Sequence, residues 1–244
     1  MIKVMSIFGT RPEAIKMAPL VKELENREEI ESIVCVTAQH REMLDQVLDT
    51  FRITPDYDLN IMKKGQTLGD VTTRALNGLE AVIKEVKPDI VLVHGDTTTT
   101  FAGALAAFYN QIAIGHVEAG LRTYDKYSPF PEEMNRQMVD CMTDMYFAPT
   151  DLSMENLLKE NIDESKIYVT GNTAIDAMST TVDEDYTHPE LEWIKPSEKM
   201  ILLTAHRREN LGDPMRHIFK AIRRIVDEFP DVKVIYPIHM NPRV

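Results

Sequence analysis

The sequence is poor in several things, and each shortage excludes a class of protein. Only two residues are cysteine, Cys35 and Cys141, both inside apolar patterns. They read as reduced core thiols in a reducing compartment, not as a disulfide framework. Long apolar runs are missing: the six-residue run KVMSIF near the N-terminus stops at Gly9 and Pro12. That is too short for the core of a signal peptide, and no later segment approaches the length of a membrane span. A cytoplasmic protein with no membrane partner is expected. Positive charge is the minority, with 27 Lys and Arg against 39 Asp and Glu and a net charge of −12. Such a balance argues against a nucleic-acid backbone or an anionic membrane as the main partner, though a local arginine cluster can still hold a small anion. Internal repeats and low-complexity tracts are absent. So are GxGxxG, GxxxxGK[ST], CxxC and HExxH, which leaves a nicotinamide, P-loop or zincin reading without support.

What is present is regular alternation. Short β-branched runs at 3–8, 32–38, 89–95, 113–117, 145–149, 167–171, 200–205 and 232–238 predict strands. Between them, helical patterns occupy roughly 14–25, 40–51, 68–86, 98–109, 131–143, 151–160, 173–182 and 214–229. This order predicts an α/β protein of doubly wound parallel sheets, and several strands apolar throughout suit sheets covered on both faces. Residues 183–199 (DEDYTHPELEWIKPSEK) break the rhythm with prolines and charges and read as a linker. The expected organisation is therefore a Rossmann-like domain over 1–182, a linker over 183–199, and the beginning of a second Rossmann-like domain over 200–244. That second domain is incomplete, with two strands and one helix.

Ligands of open parallel sheets bind beyond the carboxyl ends of the strands, and polar residues crowd those ends here. GTRPEA, TAQHRE, HGDTTTT and HVEAGLRT follow the first four predicted strands; TAHRREN and YPIHMNP follow the last two. In GTRPE, Thr10 and Glu13 form a capping box with Pro12 in the first turn. Capping leaves Arg11 unexplained, because a cation is disfavoured at the positive end of a helix; an incoming phosphate would satisfy both it and the free amides. His94 with Asp96, and His116 with Glu118, each share a strand face by the two-residue period, so four titratable groups converge if the strands are neighbours. Asp96 or Thr97 can equally cap the next helix. A metal centre built from His94, Asp96, His116 and Glu118 is a lesser alternative to acid–base chemistry. In PFPEEMNRQ, Glu132 and Glu133 suit a helix start, and Glu132 can pair with Arg136 at i+4. His206, Arg207 and Arg208 follow an apolar strand as a cluster of cations, for which a phosphate-bearing ligand is the easiest counter-charge. His239 at the end of YPIH is as readily structural as functional.

Seven of these segments, in order, carry a resemblance: FGTRPEAIKMAPL, TAQHREML, HGDTTTT, HVEAGLRT, SPFPEEMNRQ, GNTAIDA and TAHRREN. From residue 3 onward the chain resembles the bacterial non-hydrolysing UDP-N-acetylglucosamine 2-epimerases. The resemblance implies a GT-B fold of two Rossmann-like domains and interconversion of UDP-GlcNAc and UDP-ManNAc, feeding cell-surface polysaccharides such as teichoic-acid linkage units. It implies a cytoplasmic homodimer with no redox cofactor and no metal. The implied chemistry is elimination of UDP to 2-acetamidoglucal, then re-addition with C2 inverted. By the same resemblance Asp96, Glu118, Glu132 and His206 carry acid–base or supporting roles, while Arg11 and Arg136 fall on the substrate and UDP side. Gln39, His40, Gln66, Arg207 and His239 match positions that hold a second, activating UDP-GlcNAc. Glu42 and Gly65 depart from that pattern, and at position 65 the loss of an arginine would weaken a phosphate contact. Members of the family run on well past Val244, so this chain alone is expected to turn over poorly. A GT-B glycosyltransferase, a hydrolysing epimerase, a metal hydrolase and a non-catalytic sugar-nucleotide-binding module are the alternatives.

Overall fold

The computed structural model describes residues 1–38, 41–63, 65–183, 185–206 and 210–238, without the side chain of Glu42. The chain divides into two compact units, Met1–Val182 and Asp183–Val244.

Seven parallel strands form the first unit's sheet: β1 (Ile2–Phe8), β2 (Ile30–Val36), β3 (Tyr57–Asp58), β4 (Ile90–His94), β5 (Ala113–Val117), β6 (Met145–Ala148) and β7 (Ile167–Val169). Their spatial order is β3-β2-β1-β4-β5-β6-β7. Helices α1 (Arg11–Glu25), α2 (Arg41–Thr50), α3 (Leu68–Val86), α4 (Thr98–Tyr109), α5 (Glu132–Asp140), α6 (Asp151–Lys159) and α7 (Thr173–Thr181) fill the crossovers. Successive strand residues point to opposite faces. Met5, Ile7, Val91 and Val93 therefore pack with α3 and α4 residues such as Leu79, Ile83 and Ala104. Val4, Phe8, Leu92 and Val117 pack the other way, against Met17 and Val21 of α1 and Leu44 and Leu48 of α2. Having both faces covered explains why these strands are apolar on both sides.

Three expectations need correcting. β3 went unpredicted because it is two residues long, formed only by pairing Tyr57 and Asp58 with Cys35 and Val36. The helix expected over 131–143 ends at Asp140. In consequence Cys141, expected in the core, is exposed, whereas Cys35 is buried and its thiol is pushed up to about 12, chiefly by that burial.

The second unit holds β8 (Lys199–Leu202) and β9 (Val232–Ile235), a parallel pair bridged by α8 (Asp213–Glu228). Phe219 packs on Tyr236 with ring centroids 5.3 Å apart, and the Tyr236 hydroxyl donates to the Ala205 carbonyl at 2.8 Å.

Candidate active site

The strand order reverses between β1 and β4, because crossovers from β1 run one way and those from β4 the other. In doubly wound sheets that switch point leaves a crevice beyond the strand ends. An opening of about 360 Å³ lies there, lined by Thr10, Arg11, Pro12, Met43, Leu68, Asp96, Thr97, Thr98, Pro131, Glu132 and Asn135.

The first wall is the turn from β1 into α1. Backbone closeness dictates Gly9: a Cβ there would stand 2.0 Å from Thr37 Oγ1. Fully buried Glu13 accepts from the backbone N–H groups of Gly9 at 3.0 Å and Thr10 at 2.7 Å. Its other oxygen accepts from the hydroxyls of Thr97 at 2.7 Å and Thr100 at 3.0 Å. Glu13 therefore does more than complete a capping box; it ties the first turn to the turn after β4. Burial pushes its carboxyl upward against the pull of those four donors. Arg11, at the first position of α1, is exposed, and among the described residues no carboxylate pairs with it.

The second wall carries the acids. Thr97 caps α4 by accepting from Thr100 N–H at 3.2 Å, so Asp96 is left for other work. Its carboxylate accepts from Arg136 at 2.7 Å. Burial holds the Asp96 carboxyl above the ordinary carboxylate range; Arg136 pulls it down and nearby Glu118 pushes it up. Glu118 has φ +69, a left-handed conformation uncommon for a residue with a side chain. Lys16 of α1 donates to one of its oxygens, and His94 Nε2 stands 3.8 Å from the other.

His94 and His116 do not face one another. The register pairs Val93 with His116 and His94 with Val117, so the two imidazoles project from opposite faces of the sheet. His116 spends both ring nitrogens on Asp140, at 2.6 Å, and on the Gly95 carbonyl, at 2.7 Å. The expected convergence of four groups on one face is thus corrected. The metal-centre alternative loses its geometry with it, and among the described residues no three His, Cys, Asp or Glu side chains are arranged to hold an ion.

Residues 22–244 match the UDP-N-acetylglucosamine 2-epimerase family. The chain belongs to this family. It is 67% identical to the UDP-N-acetylglucosamine 2-epimerase of Bacillus subtilis, over all of this chain and 64% of that protein. The Neisseria meningitidis UDP-GlcNAc 2-epimerase, solved with UDP-GlcNAc bound, superposes with a TM-score of 0.87 at 49% identity, covering 100% of this chain and 67% of that one. MurG of Acinetobacter baumannii, at 12% identity and a TM-score of 0.55 over 99% of this chain and 69% of its own, shares the fold alone. The fold class is accordingly α/β and GT-B-like, and the chain spans about two thirds of the length of its relatives.

Within this family member, the first unit brings Arg11, Asp96 and Glu132 to one opening, with Glu118 close behind Asp96. Arg136 differs from expectation. Its guanidinium meets Asp96 at 2.7 Å and Glu133 at 3.6 Å, where Glu132 had been the expected partner. Glu132 lines the opening, and Arg136 instead meets Asp96, which comes from the turn after β4. Glu133 is fully buried and accepts from the N–H groups of Thr123, at 3.1 Å, and Tyr124, at 2.9 Å. Burial opposes its charge, but these donors outweigh burial and hold the carboxyl below its ordinary range. Gln66 is half-buried, its side-chain oxygen accepting from Lys63 N–H at 3.0 Å and Arg74 at 3.1 Å. His206 belongs to the second unit. Gln39, His40, Arg207 and His239 lie outside the described residues.

Sequence reading gave Glu13 and Glu133 only helix-start roles, and passed over Lys16 and Asp140. A lysine between apolar neighbours in AIKMAPL was a usable signal for Lys16. Asp140 offered none, since its partners His116 and Arg122 come from another strand and loop.

Proposed function

We propose that this protein interconverts UDP-GlcNAc and UDP-ManNAc by inverting C2. The observation that carries this reading is Asp96: a carboxyl raised by burial, gripped by Arg136, and set beside Glu132 and Arg11 at one opening. The hydrogen on C2 lacks the acidity of one beside a ketone, so its loss is coupled to departure of UDP from C1. The products are 2-acetamidoglucal and UDP; re-addition of UDP with protonation from the opposite face inverts the centre. Two acid–base positions are needed, with pKa values pushed apart by environment. Asp96 and Glu118 are the two positions proposed: burial drives the Asp96 carboxyl upward, and Glu118 lies beside it with Lys16 as its ion-pair partner. Arg11 and the first-turn amides of α1 suit the departing diphosphate.

His206 is proposed as a further acid–base group. Gln39, His40, Gln66, Arg207 and His239 are proposed to hold a second, activating UDP-GlcNAc. The cytoplasmic homodimer, and the supply of UDP-ManNAc to a cell-surface polysaccharide such as teichoic acid, rest on the family resemblance. The test is incubation with UDP-GlcNAc in deuterated water, followed by NMR, for this chain and for the chain extended to its relatives' length. UDP-ManNAc labelled at C2 is the expected product. Free sugar and UDP would point to hydrolysis instead, and binding without any label at C2 would leave a sugar-nucleotide-binding module.

A further inference from the structure

His116 does not line the opening, yet its completely buried ring sits directly behind the residue that does. Nε2 is 2.7 Å from the carbonyl oxygen of Gly95, and Nδ1 is 2.6 Å from Oδ1 of Asp140. A backbone carbonyl can only accept. Asp140 accepts as well: Arg122 donates to its Oδ2 at 2.7 Å, and the Gly120 N–H points at the same oxygen from 3.4 Å. Burial opposes charge on Asp140, but His116 and Arg122 outweigh burial and hold the carboxyl below its ordinary range. With acceptors on both sides, each ring nitrogen has to donate, which a neutral imidazole with a single N–H cannot do.

Arg122 is committed on its far side too, giving Nε and Nη2 to Glu160 at 2.7 and 2.6 Å. A line of alternating charge thus runs from Glu160 through Arg122, Asp140 and His116, and ends on the carbonyl immediately before Asp96. Gly95 itself adopts φ +70, a conformation that a side chain at this position would resist.

We propose that His116 is a positioning residue for Asp96: donating from both ring nitrogens, it ties the Gly95 carbonyl to Asp140 and places a buried positive charge under the turn that presents Asp96. The functional meaning rests on the acid–base reading of Asp96 given above; the charge and the tie do not. Facing Asp96 are Arg136 on α5, Lys16 on α1, and Glu118 and His116 from β5 and its end. Lys16 is taken by Glu118, so His116 and Arg136 are the cations that act chiefly on Asp96. His94 and Tyr146 are the other titratable groups that feel His116 or Asp140.

The test is nitrogen-15 NMR of the histidine rings in the purified protein at neutral pH, with carbon-13 titration of the Asp96 carboxyl beside it. Wild-type His116 should show two proton-bearing ring nitrogens. Asp140→Asn, which removes the anion but keeps the ring, should reduce that to one. His116→Gln should move the Asp96 midpoint alkaline by on the order of half a pH unit to one unit, because a neighbouring positive charge is lost. A bare ring nitrogen in the wild type would overturn the proposal, and so would an unmoved Asp96 midpoint in a folded His116→Gln protein. If that variant does not fold, the wild-type and Asp140→Asn spectra decide alone. Should these results hold in a protein that does not epimerise, the functional reading fails while the assignment of His116 stands.

Discussion

The two units are built from the same strand–helix–strand grammar but differ sharply in what they bury. In the first, a seven-stranded sheet has helices on both faces and two extensive apolar clusters. In the second, two strands and one helix bury only Ala205, Met215 and Val232 among the described residues. Trp193, Met200, Leu202 and Phe229 are half exposed or more, and the α8 surface is laced with i,i+4 pairs such as Arg223–Asp227 and Arg224–Glu228. Local pattern suffices to form strands and a helix, but a body that resists unfolding needs enough neighbours to remove apolar surface from water. The first unit can also hold charges in place: Glu13 and Asp140 are buried, partnered and shifted, whereas the α8 ion pairs among the described residues are solvated.

That contrast can be broken or sharpened by experiment. The largest effect should be chemical: Asp96→Asn is expected to cut turnover by about 10²–10⁴-fold, measured by NMR on the chain extended to its relatives' length. A loss of less than tenfold would remove Asp96 from the acid–base role. Next comes packing. Leu79→Ala should destabilise the first unit by about 2–5 kcal/mol in urea unfolding, and Met215→Ala should cost roughly half that or less in the second. Amides of β1, β4 and β5 should accordingly exchange far more slowly than those of β8 and β9. Equal exchange rates would abolish the comparison.

A third effect depends on pH. Burial, aided by the charges of Lys16 and His116, lowers His94 to about 3, and neither ring nitrogen has a hydrogen-bond partner among the described residues. The unfolded chain titrates this group at about 6.5. Between those values only the unfolded chain binds the proton, so the contribution is complete above the unfolded value. It is lost as pH falls toward the folded one, by up to about 1.4 kcal/mol per pH unit. His94→Gln should flatten that part of the slope, read from urea midpoints at mildly acidic and neutral pH; an unchanged slope would refute the assignment. The smallest effect is on the surface: Arg224→Ala in α8 should leave the unfolding midpoint unmoved within error, because solvated i,i+4 pairs contribute little.

Much of the fold was legible because its signal is local. Among the described residues, β-branched runs and 3.6-residue periods located eight of the nine strands and all eight α-helices within a few residues, and β3 escaped only because two residues carry no pattern. The strand-end rule also set Arg11 and Asp96 at the carboxyl end of the sheet, and Glu132, read as a helix start, lines the same opening. What it could not supply was partnership. Arg136 chose Asp96 over its i+4 neighbour Glu132, and His94 and His116 parted because adjacent strands are offset by one residue. Cys141 turned outward because α5 ends one residue before it.

By itself, then, the sequence determined the alternation of elements, the polar crowding at strand ends and the family likeness, since each is written in short stretches of neighbouring residues. Only the tertiary structure decided which acid meets which cation, which carboxyls are pushed upward and which histidine is locked behind Asp96. Those outcomes depend on strand register and burial, and both arise from segments far apart in the chain.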